Sequence, residues 1–193
     1  MCKGAKVAIL RTLLGDIDSA SAGYTLPHEH IFTSPQGHGS KVEEDHLLDN
    51  YEKGVQMLSE FAQIGGGTIV EATPKSWGRN GAWMVEASKT SGVNVIACTG
   101  YICQEHGMED NITSRGVEDI ASEMIHDLTL GIDGTDARAG WIKVGTAYMH
   151  VTDGEDMVIR AAVQAAQETG APISTHTTNG TMGIEQLEIA AAE

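Results

Sequence analysis

Apolar and polar positions along the chain switch repeatedly between two periods. Short β-branched runs are followed by stretches in which apolar residues recur every three or four positions, and the switch occurs five times. The first strand of the series is predicted over 24–28. Leu47, Leu48, Tyr51, Val55, Leu58 and Ala62 then mark one apolar face of a helix. Residues 65–67 are all glycine and read as a flexible connection into a strand over 68–71. A short helix is expected over 82–89. The next strand, over 94–99, carries Val95, Ile96 and Ala97 without a polar face, the pattern of a strand covered on both sides. Ser114 is placed to cap a helix striped by Val117, Ile120, Ala121, Met124, Ile125 and Leu128. A fourth strand is expected over 141–144, and a helix over 153–168 with Gly170 at its C-terminal cap position. A fifth strand over 172–176 and a fifth helix from Gly183 to Ala192 complete the pattern.

Five strand–helix units in succession imply an α/β fold with a parallel sheet and helices outside it. Irregular spacing of the strand ends excludes a short-period solenoid. A doubly wound open sheet and a (β/α)8 TIM-type barrel both satisfy the pattern. The glycine run precedes a strand, whereas a dinucleotide loop follows one and opens a helix. That disfavours the doubly wound alternative.

Composition narrows the partners. Twelve Lys and Arg against 27 Asp and Glu leave a net charge of −15, which argues against nucleic acid and anionic membrane surfaces. The 41% of hydrophobic residues is enough for a packed core. No uninterrupted apolar run exceeds four residues, so no segment reads as a bilayer span. The N-terminal residues lack the apolar stretch of a secretory signal, and Cys2, Cys98 and Cys103 are too few for a disulfide framework. A cytoplasmic protein is the expectation.

Three features carry chemistry. His28-Glu29-His30 lies at the end of the first strand, where residues two apart point the same way, so the imidazoles would form a compact chelate for a divalent cation. It is not the helical HExxH pattern of zinc proteases. Lys143 stands in the apolar strand Trp141-Ile142-Lys143-Val144. It either snorkels to solvent or is a neutral amine able to take up carbon dioxide as a carbamate. His176 ends the fifth strand, where a satisfied structural histidine is the alternative to a ligand. In a parallel barrel the C-terminal strand ends converge on one face, so His28, His30, Lys143 and His176 would meet.

The chain resembles the phosphotriesterase family of metal-dependent hydrolases with amidohydrolase-type barrels. Gly23-Tyr24-Thr25-Leu26-Pro27-His28-Glu29-His30 is similar to the family's opening G-x-T-L-x-H-E-H segment, and Leu14-Gly15-Asp16-Ile17 to the lead-in before it. Gly78-Arg79-Asn80, Cys98-Thr99-Gly100-Tyr101, the stretch from Gly131 to Lys143, and Pro172-Ile173-Ser174-Thr175-His176-Thr177 match further family segments. The resemblance implies a binuclear centre of two divalent ions, Zn²⁺ by preference, with Mn²⁺, Fe²⁺ and Co²⁺ compatible. His28 and His30 would bind the more buried ion, His176 the more exposed one, and carbamylated Lys143 would bridge both. Tyr101 occupies a position that lines the substrate pocket in the family, with loop packing as the alternative. Glu71 is read as a supporting partner at most and Arg79 as fixing a loop. Cys98 and Cys103 are read as packing residues, and His38, His46, His106, His126 and His150 receive no role.

The implied activity is hydrolysis of an ester-type bond in a small molecule, a phosphotriester, lactone or other acyl substrate, with a carboxylic ester, lactone or amide favoured. Homodimerisation is implied for the full-length form. The family also supplies a strand-six histidine and a strand-eight catalytic aspartate, neither of which this sequence reaches. The expectation is a single, C-terminally incomplete domain over 1–193. A catalytically inactive fragment or metal-binding module is the alternative function.

Overall fold

The computed structural model of the protein describes residues 8–35, 46–109 and 111–193. Of the positions singled out above, Cys2 and His38 lie outside them.

The first two strands, β1 (Ile9–Thr12) and β2 (Gly15–Asp18), form an antiparallel hairpin, where only a short lead-in was expected. Leu13 at its turn is buried and its N–H donates to the Val95 carbonyl, while Arg11 pairs with Asp16 across the hairpin. Six further strands are parallel: β3 (Tyr24–Glu29), β4 (Gly66–Glu71), β5 (Asn94–Ile96), β6 (Cys98–Gly100), β7 (Trp141–Thr146) and β8 (Ile173–Thr177). They form two three-stranded sheets, β3-β4-β5 and β6-β7-β8. The order follows the chain without reversal. The single strand expected over 94–99 is therefore two. Ala97 divides it, so that β5 pairs with β4 and β6 with β7.

Helices α1 (Tyr51–Gln63), α2 (Gly81–Ser91), α3 (Val117–Thr129), α4 (Asp153–Thr169) and α5 (Gly183–Ala192) alternate with these strands. Their starts are set by local chemistry. Asn50 caps α1 and Asn80 caps α2, each side chain accepting an N–H three residues on. Leu47 and Leu48 precede α1 rather than belonging to it, because Leu48 pairs with Thr33 through its backbone. Ser114 does not cap α3. Its hydroxyl donates backwards to the Asn111 carbonyl within a 3₁₀ turn, and Gly116 takes the cap position. Thr152 and Glu155 form a capping box on α4, and Gly170 closes that helix in the left-handed region.

The apolar stripes of α1 to α4 bury Leu58, Met84, Ile120, Met124, Leu128 and Val158 against the sheets in one core. The glycines over 65–67 are not a loose connection. Gly66 and Gly67 begin β4, and Gly67 packs so closely on Ala22 and Gly23 that a side chain would not fit. Every residue of β7 is buried, as expected of a strand covered on both faces. Among the described residues β3 and β8 each pair on one side only. No described helix is long and apolar enough to cross a membrane.

Candidate metal centre

Lys143 is the deepest member of the site. Its strand runs on through Thr146, because Val144, Gly145 and Thr146 pair with Thr175, His176 and Thr177. Lys143 is thus mid-strand rather than at the strand end expected, two residues below the level of His176. Side chains two apart on a strand share a face, so Lys143 and Gly145 point the same way, and His176 is in register with Gly145. A Cβ on Gly145 would lie 3.1 Å from the His176 Cβ. Its absence leaves the space between Lys143 and His176 clear. On the other side, Gly100 is in register with Lys143 at φ +101°, and the Lys143 carbonyl would collide with any Cβ there.

The Lys143 side chain is 1% exposed, which rules out snorkelling. Its Nζ lies 3.5 Å from His28 Nε2. Among the described residues it forms no ion pair. Burial holds its amine below the ordinary lysine value.

His28 and His30 approach from the first parallel strand. Pro27 cannot donate to the ladder, and the β3–β4 register shifts between Leu26 and Glu29. The two rings meet edge to face with centroids 5.8 Å apart, and His30 also packs on Trp77. A buried chain of hydrogen bonds orients His30. The Thr73 hydroxyl donates to Glu71 Oε1 at 2.5 Å, so its oxygen is free to accept from His30 Nδ1–H at 2.8 Å. His30 Nε2 is then the nitrogen left for a ligand. Glu71, fully buried, also accepts from the N–H groups of Thr73 and Ile31. It stands behind His30 through Thr73, at a position the sequence suggested for a supporting partner at most. Burial outweighs those hydrogen bonds and pushes its carboxyl up to about 7.

The remaining bases disfavour protons for the same reasons. Burial, then Lys143, lowers His28. Burial, then His28, Lys143 and His46, brings His30 down to about 4. Burial lowers His176, helped by Lys143, His106 and His28. Glu29 beside His28 and Glu105 beside His176 oppose these effects without overcoming them, so the three imidazoles disfavour protons and can offer nitrogen lone pairs to a cation.

Other expectations resolve individually. Tyr101 is 2% exposed, and its hydroxyl donates to Glu123 and accepts from Arg115. Its geometry is that of the packing alternative. Arg79 ties the loop after β4 to Asp127, Asp133 and the Cys98 carbonyl, as expected of a loop-fixing residue. Cys98 is fully buried. Cys103 is fully buried as well, and with His106 and His176 it forms a group whose donor atoms lie within 4.8 Å of one another. Cys103 and His106 sit three residues apart across one 3₁₀ turn, a spacing to which neither the helix nor the strand period gives a signal.

The sequence profile of the phosphotriesterase family matches residues 8–193. The chain belongs to the phosphotriesterase family. It is 39% identical over 171 residues to the phosphotriesterase homology protein of Escherichia coli K12, covering 88% of this chain and 58% of that protein. It is 32% identical over 182 residues to an aryldialkylphosphatase of Saccharolobus solfataricus, covering 92% and 57%. The crystal structure of a lactonase from Listeria monocytogenes superposes with a TM-score of 0.87 at 31% identity, covering 96% of this chain and 61% of that one. The chain thus spans somewhat under two thirds of the length of these relatives. A phosphatase and a lactonase are both hydrolases, so the family context is hydrolytic.

Proposed function

We propose that the chain contributes the first five units of a (β/α)8 barrel and most of the binuclear metal centre of a small-molecule ester hydrolase. The sequential strand order and the likeness to the lactonase support the barrel. One observation carries the centre: Lys143 is sealed from solvent, without an ion pair among the described residues, and 3.5 Å from His28. In this reading His28 and His30 hold one divalent cation and His176 holds a second. Lys143, as a carbamate, is an oxygen ligand to both. The carbamate forms when neutral Nζ attacks carbon dioxide, making one N–C bond and releasing one proton. Zn²⁺ suits imidazole with a carbamate oxygen, and Mn²⁺, Fe²⁺ and Co²⁺ are compatible. When bound, the cations supply Lewis-acid polarisation of a carbonyl or phosphoryl oxygen and lower the pKa of water. Glu71 and Thr73 orient His30, and Gly145 keeps the approach between Lys143 and His176 open. The substrate class is a phosphotriester, lactone or related ester, as the names of the relatives suggest.

The test is Lys143→Ala, with metal content measured by elemental analysis after loading with Zn²⁺ in bicarbonate. The parent is expected to carry metal and, by native mass spectrometry, a labile addition of one carbon dioxide. The variant is expected to lose the addition and most of the metal. Full metal retention in Lys143→Ala overturns the assignment.

A metal-binding module without turnover is the second reading. Among the described residues no Asp or Glu completes a set of three donors with His28 or His30. Metal binding without hydrolysis of ester and lactone substrates would favour that reading.

A further inference from the structure

The turn after β6 brings a thiol to the edge of this site. Cys103 is fully buried, and its carbonyl accepts from the N–H of His106 at 3.0 Å, so the turn folds their side chains onto one side. Three tethers hold that turn in place. Glu155, itself fully buried, accepts from the Gln104 N–H at 2.9 Å. Trp77 Nε1 donates to the His106 carbonyl at 2.6 Å, and the Tyr148 N–H donates to Glu105 Oε2 at 3.1 Å. The His106 ring meets the His176 ring edge to face with centroids 5.8 Å apart. Gly145 permits the approach from below, since a Cβ there would stand 3.1 Å from the His176 Cβ and 3.5 Å from the Cys103 Cβ.

We propose that Cys103, His106 and His176 form a thiolate-containing site for a late, thiophilic divalent cation such as Zn²⁺ or Co²⁺. Its donors converge within 4.8 Å, and two of them belong to a turn anchored independently of any cation. One sulfur and two imidazole nitrogens exclude Mg²⁺ and Ca²⁺, which require oxygen donors. Three protein donors leave a tetrahedral position open, the arrangement of sites that admit water or a small ligand rather than of closed structural zinc. A free cysteine thiol carries its proton at neutral pH. Cation binding therefore replaces the S–H bond with a sulfur–metal bond and releases one proton. The site shares His176 with the proposed binuclear centre, whereas Cys103 and His106 belong to it alone. It holds whether or not Lys143 is carbamylated.

Titration of the 193-residue chain with Co²⁺, followed by absorption spectroscopy, tests it. The parent is expected to show a thiolate-to-cobalt charge-transfer band in the near ultraviolet. Cys103→Ser should abolish the band while Cys2 and Cys98 remain as internal controls, with an unchanged circular dichroism spectrum reporting an intact fold. His106→Ala, which leaves the thiol in place, should weaken cobalt binding at that band by at least about tenfold, the lower end of what loss of even a supporting partner costs. The His28→Ala, His30→Ala double variant should keep the band. Absence of the band in the parent, its persistence in Cys103→Ser, or its loss in the double variant overturns the proposal. Failure of the Lys143 reading is recognised separately, as full metal retention in Lys143→Ala.

Discussion

At the scale of the residue, Glu71 has the most to reveal. A carboxyl raised to about 7 in the folded chain holds its proton where the unfolded chain has already lost it. Between about pH 4.5 and 7 the folded state binds more protons, so this group's contribution to stability declines as pH rises. His30 acts in the opposite sense. Lowered to about 4, it stays neutral where the unfolded chain is charged, so its contribution falls as pH drops from about 6.5 toward 4. The two slopes oppose each other in one window and mask each other in the metal-free parent. Glu71→Gln should separate them. The variant is expected to gain stability relative to the parent as pH rises from about 4.5 to 7, by an amount of order 3 kcal/mol. Denaturant unfolding at a series of pH values checks this, and a pH-independent difference would refute it.

At the scale of the element, α4 links helix capping to site geometry. Thr152 accepts from the Glu155 N–H, and Glu155 Oε2 accepts from the Thr152 N–H. The other oxygen of Glu155 holds the Gln104 N–H in the turn that bears Cys103 and His106. Thr152→Ala removes a cap and is expected to lower stability by about 1 kcal/mol. Glu155→Ala should cost more, because it strands two N–H donors at roughly 1–3 kcal/mol for each buried one. Shifts in urea midpoint at constant slope measure both. Equal effects of the two would show that the tether to Gln104 contributes nothing.

At the scale of the whole molecule, the outer strands and the last helix set the solution behaviour. Among the described residues β3 and β8 each leave one edge unpaired, and Ile184 and Leu187 on α5 are 72% and 70% exposed. Unpaired edges and exposed apolar side chains promote association, while a charge of −15 opposes it through repulsion that salt screens. The 193-residue chain is therefore expected to self-associate, more strongly as ionic strength rises. Sedimentation velocity at low and high salt checks this, and a monodisperse monomer under both conditions would contradict it.

Local period alone determined where the five strand–helix units lie, which faces of α1, α3 and α4 are apolar, and that His28 and His30 stand two apart at the end of β3. Those properties depend on spacings of two to four residues, which the sequence carries directly. The motifs around His28, Lys143 and His176 made the family legible for the same reason. Tertiary structure decided what spans longer separations. It divided the run at Ala97, since that depends on which neighbour each half pairs with. It placed Lys143 mid-strand because β8 offered further partners. It engaged the Tyr101 hydroxyl with Arg115 and Glu123, and aligned Glu71 and Thr73 behind His30. It also carried Cys103 and His106 to His176, some 70 residues away in sequence, on a 3₁₀ turn that has no periodic signature. Contacts of that kind form only when separate βα units pack, and no local pattern encodes the packing.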